Sequence, residues 1–432
     1  MIARKPVVAS ISACMLACCG LVLGGCGSGS ATPPPTPPTT PVSPGPASGS
    51  EFIYSFSFGN DIQVATLDKV SGAISSVTDA DPNLYPALIA DFGRAFTVLV
   101  RGKYFYVTGF DQPDGSYAIF GFTITGAHGE LTSLPSSPYI NNNVISYATG
   151  LVADGQGKNL YISGMNTILI FQIDQNTGIL TNTGMKLTGG NEGLKVCGAD
   201  STGKYIYALG QDGGSIDIHI LAIGFAGGLS EIPGSPFPAY STTSDLISTS
   251  KLLISPSGNY LYLLITGING VGQPVTSFTN VYSFSINALT GALTPIPGSP
   301  FILRHSDPVA SQGDSSVSPN GKFLYVPNRQ QMTADNSMSV YAIDTAHGTV
   351  GLDPAFTVAA VAGTGVFGNT NLIDPSGSVL ISKGAGATAW TYLINGSTGA
   401  LSATPGSPFN FYNGQTGVPT IDYRGSSILE VP

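Results

Sequence analysis

The chain has 432 residues, of which 42% are hydrophobic and only 9% are charged, and it contains 56 glycines and 31 prolines. This composition favours short strands and tight turns over amphipathic helices. Lysine and arginine together number 16 and the net charge is −9, which argues against nucleic-acid binding because neutralising phosphates requires clustered cations.

The N-terminal 26 residues have the features of a targeting segment. Arg4 and Lys5 precede an uncharged apolar run over residues 6–23, and the sequence LGGC ends at Cys26. This ending resembles a bacterial lipobox, in which the cysteine receives diacylglycerol after cleavage. We therefore expect an exported protein, anchored by lipid at Cys26 to the outer membrane or the periplasmic face of the cell envelope. An ordinary signal peptide and an uncleaved transmembrane helix are the alternatives.

The next segment, residues 27–50, is built almost entirely of Gly, Ser, Thr, Ala and Pro. It cannot bury a core, so we expect an extended, disordered tether before a folded domain at residues 51–432. The cysteines before Cys26 leave with the signal, and only Cys197 remains in that domain. An intramolecular disulfide is then impossible. Cys197 lies in a strand-like run and is predicted to be a small core residue rather than a nucleophile.

A turn-rich phrase recurs along the domain. It reads TGALTPIPGSPF at residues 290–301, with near copies at 226–237 and 398–409. Alignment on its first glycine gives seven copies, at Gly72, Gly129, Gly178, Gly227, Gly291, Gly348 and Gly399. A period of roughly 50 residues is typical of propeller blades.

Four short strands are predicted in each repeat. In the repeat of Gly291 they are residues 245–254, residues 259–264 after a Ser-Pro-Ser-Gly turn, residues 281–286, and the segment that follows the glycine. Tyr282, Phe284 and Ile286 recur at every second residue, so they share one face of a strand that neighbouring sheets would bury. Trp390 falls on the same stripe and is predicted to be core. The fold class is therefore all-β, a seven-bladed propeller of four-stranded blades.

The PGSPF part of the phrase is predicted to end the outer edge strand of a blade. Proline lacks the N–H group and is tolerated on edges, and Pro-Gly suits a type II turn. Closure is expected by pairing of the two chain ends in one blade. Residues 418–422 are predicted to supply its innermost strand, while residues 52–56 and 427–431 both resemble its second strand.

The phrases GKFLYVPN, GNYLYL and VYSFSINALTGALTPIPGSPF resemble those of the YVTN-repeat, lactonase-like seven-bladed propellers, and the resemblance extends over nearly all of residues 51–432. That family includes cytoplasmic 6-phosphogluconolactonases and muconate-lactonising enzymes, as well as many exported propellers without established chemistry. No catalytic motif of the family can be matched residue by residue, so none is carried over.

The ionisable residues predicted near the mouth of the central channel form one candidate site. His305 or Glu192 would activate water, and Arg304 would hold an acidic substrate group or a developing oxyanion beside Asp307. The candidate ligand-binding residues are Lys195 and Arg329. Histidines elsewhere are predicted in turns (His128, His347) or buried (His219). Scattered histidines and one cysteine predict no zinc site and no cofactor, although calcium held by loop carbonyls stays open.

Two functions fit these observations. The first is a lipid-anchored, monomeric scaffold that binds a protein or glycan on a broad face and touches the membrane only through its anchor. The second is a lactone hydrolase that uses the His305 cluster on a small lactone. Fold resemblance cannot choose between them.

Overall fold

The repeated glycine turn occupies the same place in each of the antiparallel sheets of the structure, a computed structural model. It describes residues 50–57, 61–76, 90–91, 96–111, 116–125, 129–140, 145, 148–164, 166–189, 193–212, 214–242, 245–268, 277–304, 315–329, 336–359, 370–383, 388–410 and 428–431.

The first three sheets, in chain order, are the first three blades. Blade 1 contains β1 (Ser50–Ser57), β2 (Asp61–Asp68) and β3 (Ile74–Ser76). Blade 2 contains β4 (Ala90–Asp91), β5 (Thr97–Val100), β6 (Tyr104–Asp111), β7 (Ser116–Thr125), β8 (Glu130–Ser133) and β9 (Tyr139–Ile140). Blade 3 contains β10 (Gly150–Ala153), β11 (Asn159–Gly164), β12 (Thr167–Ile173) and β13 (Leu180–Thr188).

Four further sheets complete the ring. Blade 4 contains β14 (Gly193–Ala199), β15 (Tyr205–Asp212), β16 (Ser215–Ile223), a 3-10 turn (Phe225–Gly227), β17 (Leu229–Glu231) and β18 (Phe237–Ser241). Blade 5 contains β19 (Leu246–Ile254), β20 (Tyr260–Ile268), β21 (Ser277–Ile286), β22 (Leu293–Pro295) and β23 (Phe301–Ile302). Blade 6 contains β24 (Ser316–Val317), β25 (Phe323–Arg329), β26 (Asn336–Asp344), β27 (Thr349–Val350) and β28 (Phe356–Ala359). Blade 7 contains β29 (Thr370–Ile373), β30 (Val379–Lys383), β31 (Thr388–Ile394), β32 (Leu401–Ala403) and β33 (Phe409–Asn410), and β34 (Ile428–Val431) follows.

Each sheet runs from an innermost strand through a second and a third strand to an outer strand, as in the order β10-β11-β12-β13. The innermost strands β5, β10, β14 and β19 touch in succession, β24 touches β29, and β34 contacts both β29 and β5. The predicted all-β, seven-bladed propeller of four-stranded blades is confirmed.

The two chain ends pair in blade 1, as expected. β34 is its innermost strand and runs antiparallel to β1, with Phe52 opposite Val431 and Ser55 opposite Ile428. β1 is the second strand, so the ambiguity between the two ends is resolved. The assignment of the innermost position to residues 418–422 was wrong, because β34 occupies it; residues 418–422 themselves lie outside the described part.

The PGSPF phrase interrupts the outer strand rather than ending it, which corrects the sequence-based prediction. β22 and β23 both pair with β21, one on each side of the phrase. Gly298, the glycine of its turn, has a φ of +87°, as a type II turn requires. The Ser299–Pro300 peptide is cis. The Ser299 hydroxyl accepts the N–H of Ser283 at 3.0 Å. A side-chain oxygen thereby replaces the outer-strand carbonyl, and the ladder continues past the loop.

Buried side chains fill the spaces between blades. The predicted stripe on the third strands is part of this core: Phe120 and Phe122 pack with residues of blade 1, and Trp390 is 8% exposed among residues of blades 6 and 7. Cys197 is buried within the core between blades 4 and 5, as predicted. His219 is also buried.

Tyrosines on the second strands of blades 1, 2, 3, 4 and 6 join each of these blades to the next one. The hydroxyls of Tyr54, Tyr106, Tyr161, Tyr207 and Tyr325 donate to the carbonyls of Gly129, Gly178, Gly227, Gly291 and Gly399, at distances from 2.5 to 3.4 Å. These carbonyls belong to the repeat glycines of the following blade. Burial raises the pKa of Tyr106, Tyr161, Tyr207 and Tyr325 well above the ordinary value, so the phenols stay protonated as donors. We call this contact the tyrosine clasp.

The repeat glycines are required by both conformation and space. All seven have positive φ, between +69° and +81°. A Cβ on Gly399 would lie 2.6 Å from the ring of Phe323, two residues before the clasp tyrosine, and one on Gly291 would lie 2.8 Å from the ring of Tyr205. The glycine thus fits beneath an aromatic ring of the preceding blade while its carbonyl accepts the clasp.

Gly399→Ala should therefore destabilise the domain by roughly 2 kcal/mol or more, since left-handed backbone costs ~1–2 kcal/mol for a residue with a Cβ and the methyl group meets Phe323. Gly396→Ala is the matched control in the same turn, because a Cβ there meets nothing within 4 Å, and its effect should stay within about 0.5 kcal/mol. Chemical denaturation would measure both. Equal losses would contradict the contact.

Deleting residues 427–432 should lower the melting temperature far more than deleting residues 27–49. β34 pairs with β1 and touches the innermost strands on either side, so its loss opens an edge in blade 1. Calorimetry of the two truncated proteins beside the full chain would test this. Identical melting temperatures for both truncations would show that closure contributes nothing.

Candidate functional site

The ring has two different faces. The hairpin face carries the turns from innermost to second strand and from third to outer strand, such as residues 154–158 and 174–179 of blade 3. The connection face carries the links from second to third strand and from one blade to the next. Sequence analysis predicted the site on the connection face.

Three of the predicted catalytic residues, Glu192, His305 and Asp307, lie outside the described residues, as does Cys26. Their assigned roles stay predictions. Lys195 is half-buried on the innermost strand β14, where its backbone pairs with Leu209. Arg329 ends β25 opposite Asn336.

Arg304 lies on the outer side of the junction between blades 5 and 6. It follows the outer strand β23, and its N–H donates to the carbonyl of Leu352 at 2.9 Å. Its guanidinium pairs with Asp353 at 3.1 Å, and both side chains are mostly exposed, at 65% and 68%. Tyr341 donates to its carbonyl at 2.6 Å. The described contacts of Arg304 are thus with the third strand of blade 6 and with the segment between β27 and β28, away from the innermost strands. An exposed pair of this kind contributes little to stability.

One Ser, Glu and His group occurs at blade 4. His219 Nδ1 lies 2.6 Å from Glu231 Oε1, and the Ser235 hydroxyl donates to the other oxygen of Glu231. The same hydroxyl accepts the N–H of Ile220 at 2.8 Å, the role of Ser299 in blade 5. Acyl transfer needs the serine to give its proton to the histidine. Here both contact the carboxylate instead, so the group holds the outer strand in place.

A cleft of about 720 Å³ opens on the hairpin face between blades 3 and 4. Its volume lies within the range of small-molecule sites, ~300–1,000 Å³. Blade 3 contributes residues of its two turns and three strands, and blade 4 contributes Gly203, Ile223, Gly224, Ala226 and Gly227. The described lining contains carboxylates, side-chain amides, one lysine and one threonine, but neither histidine nor cysteine.

The cleft exists because blade 3 departs from the repeat at Asn159. The residue two positions before the clasp tyrosine, or before Tyr262 in blade 5, is aromatic in five blades: Phe52, Tyr104, Tyr205, Tyr260 and Phe323. Asn159 is much smaller, and its Nδ2 donates to Asp154 Oδ2 at 2.7 Å. Its Oδ1 lies 2.5 Å from the position a Cβ would take on Gly227. Asn159 thus covers Gly227 itself and is 8% exposed, and the cleft lies beyond this shorter side chain.

Blade 4 departs from the repeat on the opposite side of the cleft. Its turn runs from Gly224 to Gly228, with Gly224 N–H bonded to the Gly228 carbonyl, whereas the turn of blade 5 runs from Asn287 to Ala292. The Asn287 side chain caps its turn through Leu289 and Thr290 N–H, and Gly224 has no side chain to do so. Ala226 adopts positive φ. Phe225 at the tip of this tighter turn is 96% exposed.

Most polar groups in the cleft are already oriented by hydrogen bonds. Asp154 Oδ1 accepts the N–H groups of Gln156 and Lys158. Asp174 Oδ1 accepts those of Asn176 and Thr177, each at 2.9 Å, and these backbone bonds lower the pKa of Asp174, so it is ionised at neutral pH. Gln175 donates to the Gly157 and Ile173 carbonyls. Its Oε1 is buried without a hydrogen-bond partner in the described part of the chain.

Comparisons with known proteins agree with this architecture. Residues 275–408 match the family model of the lactonase seven-bladed β-propeller. The chain is a seven-bladed propeller, and its residues 275–408 are similar to this family. A provisionally named 6-phosphogluconolactonase of Bacteroides fragilis is 18% identical, with a TM-score of 0.62 over 90% of this chain and 100% of that one. A second one, from Bacteroides uniformis, is 17% identical, with a TM-score of 0.59 over 88% and 99%.

A protein from Lactobacillus plantarum has a similar TM-score of 0.57, at 16% identity, over 88% of this chain and 100% of its own chain. Identities this low show the fold alone. A comparison with curated protein sequences found no match. Within the described ranges, no cluster of His, Cys, Asp or Glu could hold a metal ion, and no helix is long and apolar enough to cross a membrane.

Sequence reasoning missed the cleft because it looked for ionisable residues on the connection face. The available signal was a break in the repeat. Asn159 replaces an aromatic residue, and GFAGG at residues 224–228 replaces a turn that begins with Asp or Asn, as at Asp174 and Asn287.

Proposed function

We propose that the propeller is an exported, lipid-anchored binding protein whose ligand occupies the cleft between blades 3 and 4. The observation that carries the proposal is the coincidence of two departures from the repeat, Asn159 and the 224–228 turn, at one cleft. This opening offers hydrogen-bonding groups and no nucleophile–base pair among its described residues.

The proposed lipid anchor is supported by the LGGC sequence whose last residue is Cys26. The Pro-rich segment after it is suited to a tether, and β1 begins at Ser50 directly beyond it. The propeller would then be held near the membrane, and its ligand would be a component of the cell envelope or of its surroundings.

Cys26→Ser should leave the protein unacylated and release it from membranes, because the lipid is the only attachment proposed. Detergent partitioning and metabolic labelling with a palmitate analogue would measure the change. Ser50→Cys is not expected to restore acylation, since the residues before it do not form a lipobox. A variant that stays in the membrane fraction would show that residues 6–23 are an uncleaved anchor.

The second candidate is a lactone hydrolase. It is favoured by the match over residues 275–408, which include Arg304, His305 and Asp307, and by the names given to the two Bacteroides neighbours. Such a reaction needs a base for water and a cation beside the developing oxyanion.

The parent protein should hydrolyse no member of a panel of sugar lactones and muconolactone, followed by the release of protons at constant pH. If a lactone is turned over, His305→Ala should lower kcat by roughly 10²–10⁴-fold, with His347→Ala, in an exposed turn of blade 6, as the control. Turnover that depends on His305 would replace the binding proposal with the hydrolase.

A further inference from the structure

We propose that the cleft between blades 3 and 4 binds a neutral sugar unit. The inference rests on the proposed function and names the chemistry of its ligand. Its basis is a row of polar side chains that crosses blade 3 on the side facing blade 4. Asn159 lies opposite Gln172 across β11 and β12, and Gln172 lies opposite Thr181 across β12 and β13. All three line the cleft.

In blades 4 and 5 the same row is less polar and is covered by a ring. In blade 4 it reads Tyr205, Ala222 and Ser230. In blade 5 it reads Tyr260, Ser285 and Thr294. Blade 3 therefore replaces a ring and a short side chain with two amides. Packing within the folded chain does not explain both changes, because the side chain of Gln172 is exposed.

Amides and hydroxyls are the side chains that match a sugar. A sugar hydroxyl is both a donor and an acceptor, and the exposed side chains of Gln172 and Thr181 offer both functions. The Asp174 carboxylate adds fixed acceptors, and the buried Oε1 of Gln175 has no hydrogen-bond partner in the described part of the chain. A ligand hydroxyl or a bridging water can satisfy that acceptor.

The charge of the cleft selects against acidic ligands. Its described lining carries two carboxylates, Asp154 and Asp174, and one cation, Lys158. A phosphate or carboxylate group would meet a net negative site without an arginine to bind it in two places. A neutral ligand avoids this repulsion. The cleft thus differs in chemistry from a site for a phosphorylated sugar lactone.

Phe225 supplies an apolar surface beside the cleft. It is 96% exposed, and its neighbours Gly224 and Ala226 both line the cleft. An aromatic side chain so exposed on a turn gains nothing from packing in the folded chain, and exposed apolar surface of this kind marks contact sites. The C–H face of a sugar ring can cover it while the hydroxyls reach the amides.

The test is isothermal titration of the full-length protein, in detergent, with glucose, galactose, N-acetylglucosamine and their β-linked disaccharides. Glucose 6-phosphate and glucuronate serve as the anionic counterparts. We expect at least one neutral sugar to bind with a Kd below roughly 1 mM, and its anionic counterpart to bind more weakly. Asn159→Tyr places in the cleft the tyrosine that blades 2, 4 and 5 carry at the corresponding position. Sugar binding should therefore disappear while the melting temperature is kept.

A second pair of variants covers the case in which Asn159→Tyr does not fold. Phe225→Ala should weaken sugar binding by roughly 3- to 10-fold, the usual effect of one lost contact. Leu289→Ala at the tip of the corresponding turn of blade 5, where the side chain is 80% exposed, should leave it unchanged.

Three outcomes would overturn the inference. No binding of any neutral sugar is the first, and tighter binding of the anionic counterparts is the second. The third is sugar binding that survives Asn159→Tyr in the folded protein and is insensitive to Phe225→Ala. A thermal-shift screen with neutral peptides distinguishes failure of the sugar proposal from failure of the proposed binding function. Peptide binding that Asn159→Tyr abolishes would overturn the sugar proposal but retain the binding function. Lactone turnover without cleft-dependent binding would overturn both.

Discussion

The contact on which the ring depends is the hydrogen bond from a buried tyrosine to the carbonyl of a glycine in the next blade. It fixes the tyrosine on a second strand and the glycine at a turn, with an aromatic ring two residues before the tyrosine covering that glycine. Each part requires the others. A glycine without the ring would leave a void, a ring above any residue with a Cβ would clash, and the buried carbonyl without its donor would be unsatisfied.

The closing junction shows how far this contact can vary. Ile381 takes the place of the clasp tyrosine in blade 7, and the hydroxyl of Thr391 on the third strand donates to the Gly72 carbonyl at 2.7 Å. A Cβ on Gly72 would meet Thr404 instead of an aromatic ring. The repeat glycine therefore requires a hydrogen-bond donor for its carbonyl and a side-chain surface packed closely against it. Blade 7 meets it from another strand, and β34 closes the ring on the inner side.

The fold could be predicted because the same physical requirements recur seven times. The alternating apolar stripe through Phe284 marked one face of a strand, and repeat glycines such as Gly291 marked turns. Two details escaped for a local reason. The Ser299 hydroxyl that carries the ladder past PGSPF is indistinguishable in sequence from any loop serine, and two similar end segments could not be ordered without their partners. The site was harder to predict because the repeat pattern describes only what the blades share. The cleft depends on Asn159, which departs from that pattern.

The loss of an aromatic ring at the junction between blades 3 and 4 is offset on its inner side. Thr149 donates to the Leu194 carbonyl at 2.9 Å, and the Ser163 hydroxyl accepts the N–H of Val196 at 2.9 Å. Gln156 also donates to the Thr202 carbonyl at 3.0 Å on the hairpin face. Together with the retained clasp from Tyr161, these bonds hold the two blades in register without the ring. The junction can thus remain rigid while its outer half stays open, which is the arrangement that a preorganised binding cleft requires.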